Sequence, residues 1–189
     1  VHDTLDPHTS VQLIKEHVTD GVRLARKARL PKPIVDVIQQ HHGTSLIRYF
    51  YSKALASGEP VDEAEFRYPG PKPQTKEAGI ILLADSVEAA VRSAAQSGKL
   101  YEDGVAEPGR TGSKLEEIVD RVIRERLEDG QLDECDLTLR QIGEIRRVFL
   151  SILEGIYHPR IEYPELERRA ERRQPAEEPV SPAMAEAGS

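Results

Sequence analysis

The sequence has one cysteine, Cys135, and no tryptophan. A single thiol cannot form an internal disulfide and cannot build a cysteine-only metal site. Such sparse cysteine use fits a reducing cytoplasmic setting. Positive charge is not in excess either: 26 Lys and Arg stand against 33 Asp and Glu, a formal net charge of -7. That balance argues against a general binder of nucleic-acid polymers, which carries a basic face. It leaves room for a small anionic substrate held by local cations. No apolar run approaches the roughly 18 residues needed to span a bilayer. The longest candidate, "AGIILLADSVEAAV", is broken by Asp85 and Glu88, and no signal peptide is present. The chain starts at Val1 on a loop-like "HDTLDPHTS", which reads as the opening of a fragment of a longer protein.

Helical periodicity is abundant. The 189 residues suffice for one well-buried domain with a tail. Val11, Ile14, Val18, Val22 and Ala25 predict a helix over about 9–29, capped by Thr9 or Ser10. "LPKP" forces a joint. A short helix over about 33–42 follows and stops at Gly43. "TSLIRYFYSKALAS" is a third helical segment. Residues 58–75 are rich in proline and glycine, and "FRYPGPKP" within them suggests an ordered loop over a site. Residues 76–97 are apolar on most sides, the mark of a central, buried helix. Capping boxes at Ser113/Glu116 and Thr138/Gln141 open two more helices, to about 129 and 157. No segment alternates with strand period, so the fold class is all-α. Residues 166–189 are charged and rich in Pro, Ala and Glu, and read as a disordered tail.

Four residues are chemically out of place in this pattern: His17, His41, His42 and Asp85. Aspartate is almost never buried unless it is paired or bound to metal, and Asp85 sits in the middle of "ILLADSVEAA". It would either hold a metal or pair with a neighbour such as His17. A lone histidine beside an apolar stripe is more often a core residue. His41 and His42 would project about 100° apart on a helix, and so serve one large site or two metals. Imidazole and carboxylate without thiolate suit zinc, iron or manganese. Arg92 shares a helical face with Asp85 and Glu88. It either makes an i,i+4 pair with Glu88 or clamps a phosphate, the pair being the commoner outcome. Arg67, Lys72 and Lys76, around the proline loop, pose the same choice between surface cation and substrate contact. Arg92, Lys76 and Tyr68 are the candidate substrate-binding residues.

The stretches "LDPHTSVQLIKEHVTDGVRLARKARLP", "IVDVIQQHHGTSLIRYFYSKA", "FRYPGPKPQTKEAGIILLADSVEAAVRS", "RLEDGQLDECDLTL" and "GIYHPRIEYP" together resemble the cytoplasmic HD domain of the membrane-anchored seven-transmembrane-helix HD receptor family, the PgpH-type cyclic di-AMP phosphodiesterases. The resemblance runs from about Leu5 to Pro164, within an HD domain taken as 1–165, and implies an all-α HD-domain helical bundle. "QHHGT", "RYPGPKPQTKE" and "LADSVEAAVR" are its most specific phrases. It implies metal ligation by His17, His41, His42 and Asp85, and no role for His2 or Asp3, which match a later loop rather than the His-Asp pair that names the domain. That pair and a further histidine would lie upstream. It also implies two divalent ions, iron or manganese, which assist hydrolysis of a cyclic dinucleotide, cyclic di-AMP, to the linear dinucleotide. The parent would be held at the cytoplasmic face of the membrane by upstream segments. The fragment, short of ligands, is expected to bind metal poorly and to be inactive or weakly active. Two alternatives remain: a catalytically silent HD module that senses a ligand or binds a partner, and an HD enzyme with another nucleotide substrate.

Overall fold

The computed structural model describes residues 6–58, 60–101 and 111–157. Helix α1 spans Pro7–Lys27, α2 Lys32–Gln40, α3 Arg48–Leu55, α4 Lys76–Gln96, α5 Thr111–Glu128 and α6 Leu139–Tyr157. Short 3₁₀ turns lie at Glu63–Phe66 and Lys99–Tyr101. Among the described residues there is no strand, only an isolated antiparallel bridge between Leu46 and Arg67. The fold is all-α, as expected. The predicted tail at 166–189 and His2 and Asp3 lie outside the described residues.

Helix ends follow local chemistry, with two corrections. The α1 cap is Asp6, not Thr9 or Ser10: its carboxylate accepts from Thr9 N at 2.9 Å. Pro7 then occupies the first helical position, where its missing N–H costs nothing. Helix α5 already includes Thr111, so Ser113 lies inside it and is not its cap. The second box forms as predicted. Gln141 N donates to Thr138 Oγ1 at 3.3 Å, and Thr138 N donates to Gln141 Oε1 at 3.1 Å.

The larger core lies between α4, α5 and α6, where Leu82, Leu83, Val87, Val91, Leu115 and Val119 are almost fully enclosed. Smaller apolar clusters join α1 to α3, around Val11, Phe50 and Phe66, and α1 to α2, around Val22, Ala25 and Val35. Helix α4 is buried on one face rather than enveloped. Ala78, Leu82, Leu83, Val87 and Val91 point inward, while Ile80 and Ile81 are 36% and 40% exposed. The other face of α4 is therefore free to present Asp85. The expected central helix is present, packed against α2, α5 and α6, with part of its apolar surface, at Ile80 and Ile81, left open. No helix among the described residues is long and apolar enough to cross a membrane.

Candidate metal centre

Three elements deliver the four unusual residues. On α1, Val11, Val18, Val22 and Ala25 turn inward, and His17, one position before Val18, stands at the exposed edge. Helix α2 ends at Gln40, with His41 as its cap. Gly43 then takes φ 54°, in the left-handed region that favours glycine. A Cβ at Gly43 would also fall 2.4 Å from Gln131 Oε1, so the turn needs glycine twice over. Helix α4 carries Asp85 on its open face.

The three imidazoles converge. Their ligand-capable nitrogens lie within 4.8 Å of one another. His17 Nε2 is 3.3 Å from His41 Nε2 and 3.0 Å from His42 Nε2. The 100° divergence expected of adjacent helical residues does not separate the pair, because the chain leaves α2 at His41. The two rings lie 3.9 Å apart at 39° and aim at the same point.

Two of the rings are oriented by backbone. His17 Nδ1 meets the Ile14 carbonyl, and His41 Nδ1 meets the Ile38 carbonyl at 2.7 Å. Each contact is a hydrogen bond only if Nδ1 carries the proton. Both Nε2 atoms then present lone pairs to each other with no proton between them. A divalent ion suits that arrangement: metal–nitrogen bonds of about 2.1 Å at angles of 90–109° place ligand atoms about 3.0–3.4 Å apart. A backbone carbonyl that accepts from Nδ1–H is also a common outer-shell partner of a metal-ligating histidine.

His42 Nδ1 lies 3.3 Å from Asp85 Oδ2. Burial, reinforced by His41, His17 and Arg126, pushes His42 down to about 3, so its imidazole is neutral at ordinary pH, the form a metal binds. Asp85 pairs with His42 rather than with His17. Its side chain is 44% exposed, which corrects the picture of a buried aspartate. The apolar sequence around it belongs to the other face of α4.

Tyr68 stacks on His42, with ring centroids 4.2 Å apart and planes 23° apart. Burial and the Asp85 charge push its phenol up to about 12, so the hydroxyl keeps its proton and can donate. Lys76 is the first residue of α4, about 13 Å along the axis from Asp85 by helical rise. Arg92 donates to Glu88, with its closest approach 3.1 Å.

A second polar group backs the histidine turn. Gln131 is fully buried. Its Oε1 accepts from Thr44 N at 2.9 Å, and its Nε2 donates to Asp129 at 2.9 Å and to Thr44 Oγ1 at 3.0 Å. Arg67 donates to both Asp129 oxygens, at 2.9 and 3.2 Å, and to the Thr44 carbonyl at 2.9 Å. Burial alone would raise the Asp129 carboxyl, but the Arg67 and Gln131 hydrogen bonds outweigh it and hold the group below its ordinary value. Arg67 is thus no solvated surface cation. The proline loop is also ordered: Gln74 N donates to Gln40 Oε1 at 2.9 Å, which ties the loop to the end of α2.

Sequence reasoning passed over Gln131, Asp129 and Thr44, and also Arg126. Arg126 lies on α5 and donates through Nε to Ser86 Oγ at 3.0 Å, beside Asp85. Little local marks these residues, since Thr44 and Gln131 are 87 positions apart, Arg67 and Asp129 62, and Arg126 and Ser86 40.

The HD domain family profile matches residues 1–90. Over 168 residues the chain is 45% identical to the cyclic-di-AMP phosphodiesterase PgpH of Bacillus subtilis (strain 168), covering 89% of this chain and 22% of that protein. It is 46% identical over 164 residues to the cyclic-di-AMP phosphodiesterase PgpH of Listeria monocytogenes serotype 1/2a (strain 10403S), covering 87% of this chain and 21% of that protein. The chain thus spans about a fifth of the length of these curated relatives. The crystal structure of the L. monocytogenes PgpH HD domain in complex with cyclic-di-AMP is similar, with a TM-score of 0.72 and 46% identity over 86% of this chain and 70% of that one.

Proposed function

The chain belongs to the HD domain family, and from that premise we propose that it carries a metal-dependent phosphodiesterase site acting on a cyclic dinucleotide, with cyclic di-AMP the substrate and the linear dinucleotide the product. The observation that carries the reading is the convergence of His17, His41 and His42 Nε2, two of them with Nδ1 committed to backbone carbonyls.

In this reading His17, His41, His42 and Asp85 hold divalent metal, two ions of iron or manganese. Bound ions would activate water at neutral pH for attack on phosphorus and would offset charge on the phosphate oxygens. The chain's own residues set the stage. The Ile14 and Ile38 carbonyls fix ring orientation, the neutral His42 keeps its lone pair, and Asp85 supplies negative charge at the open edge. Tyr68, stacked on His42, is positioned to donate its hydroxyl to the substrate. Lys76 and Arg92 lie on α4 to opposite sides of Asp85 along the helix and would meet parts of a dinucleotide that extend beyond the metal. Anchoring of the parent at the cytoplasmic face of the membrane belongs to the same proposal and rests on the resemblance.

The test is metal content together with turnover of cyclic di-AMP and cyclic di-GMP by the chain and by a version extended upstream, the extended version being expected to hold more metal and to turn over faster, each loaded with iron or manganese. Hydrolysis of cyclic di-AMP in preference to cyclic di-GMP, lost with His42→Ala, is the expected result. Tight binding of cyclic di-AMP with no turnover at any metal loading would instead identify a silent sensing module.

A further inference from the structure

Three described arginines are half-buried: Arg67, Arg126 and Arg146. Two of them are fully paired. Arg67 holds Asp129 at 2.9 Å and Glu63 at 2.8 Å. Arg146 holds Asp120 and Glu116. Arg126 differs: among the described residues it makes no ion pair, and its hydrogen bond is from Nε to Ser86 Oγ.

Withdrawing a guanidinium from water without an anion is unfavourable. Burial, with Arg48 nearby, already pulls Arg126 below the ordinary arginine value. The carboxylates around it are engaged elsewhere. Asp129 is held by Arg67, Glu125 by Arg48 and Arg121, and Asp85 by His42. Its two Nη groups have no hydrogen-bond partner among the described residues, and neither is among the fully enclosed atoms that lack a partner. Ser86 fixes Nε next to Asp85, and both His42 and Tyr68 feel the Arg126 charge.

We propose that Arg126 is a substrate-binding residue whose Nη groups take a phosphate oxygen of the cyclic dinucleotide at the edge of the histidine cluster, with Ser86 orienting the guanidinium. The inference rests on the phosphodiesterase reading above. The chemistry matches: a guanidinium presents parallel N–H donors that fit two phosphate oxygens, and a cation already partly withdrawn from water has less to lose when an anion arrives. It explains why this arginine has no carboxylate partner while the other two half-buried ones do.

The experiment compares wild type, Arg126→Met and Arg126→Lys in the metal-loaded full chain. Affinity for the linear dinucleotide product is measured by equilibrium dialysis, alongside KM and kcat for cyclic di-AMP, metal content and Tm. Charged hydrogen bonds of this kind predict a product Kd weaker by about 10- to 100-fold in Arg126→Met. Arg126→Lys should recover part of that loss, since it keeps the charge without the fork. Metal content should match wild type, and Tm should be unchanged or higher, because an unpaired buried cation has been removed. Wild-type product affinity in Arg126→Met overturns the inference, and so does a loss of binding that tracks a fall in Tm in both variants. A wild-type chain that holds metal yet binds neither dinucleotide overturns the function itself, and the inference falls with it.

Discussion

Two polar regions flank Gly43, and they are built from similar residue types. On one side Thr44, Arg67, Asp129 and Gln131 form a closed network in which each donor finds an acceptor of this chain. On the other, His17, His41, His42, Asp85 and Arg126 stand close together with lone pairs facing lone pairs and a guanidinium short of an anion. The first region is complete as it stands. The second becomes complete when a cation and an anion are added. A satisfied polar cluster holds a fold together, and a cluster left unsatisfied in a folded protein points to what it binds.

The sharpest way to break this contrast is to remove a residue from each side. His17→Ala should leave the metal-free Tm close to wild type, since His17 is exposed. It should weaken metal binding by at least about 100-fold, beyond the cost typical of outer-shell partners; metal titration read against thermal melts checks both. Asp129→Ala should do the reverse. It leaves Arg67 and Gln131 without their shared acceptor and should cost about 2–3 kcal/mol of stability, read as a lower urea midpoint, with a smaller effect on metal affinity passed through the Thr44 turn.

Acid sharpens the comparison next, because the two sides lose stability in different windows. His42 falls from 6.5 to about 3 in the folded chain. The unfolded chain therefore takes up that proton first. The associated stability of the metal-free protein is full above pH 6.5 and is lost progressively as pH drops toward 3. Asp129 is held below 3.8, so its contribution persists to that pH and is lost only as pH falls further, through its folded value. Urea midpoints across pH 2–8 should show both declines, with His42→Gln flattening the upper one and Asp129→Asn the lower. The smallest effect belongs to Arg92→Ala. The exposed Glu88–Arg92 pair contributes a few tenths of a kcal/mol, so the urea midpoint should hardly move, and any clear rise in KM would mark Arg92 as a substrate contact.

Much of the helical pattern was legible in the sequence because it is local. The inward face of α1 and the capping box of α6 follow from spacing and hydrogen-bonding chemistry within a few residues. His17, His41, His42 and Asp85 stood out because each is costly or unusual where the pattern places it. The burial of Asp85 was misread for a physical reason: apolar neighbours along a helix do not say which face is covered. The sequence leaves Arg67 between surface cation and substrate contact, and its structural role goes unseen there because its partners, Thr44 and Asp129, are distant in the chain.

The sequence by itself determined which residue types were available for chemistry and which segments would coil, since both depend on intrinsic propensity and on neighbours three or four positions apart. Tertiary structure decided the rest. It brought a ring nitrogen from α1 to within 3.0–3.3 Å of ring nitrogens of two histidines at the end of α2, closed Gln131 over Gly43, and left Arg126 without an ion pair among the described residues. Those outcomes depend on how helices pack, and packing brings together residues whose separation along the chain carries no trace of their contact.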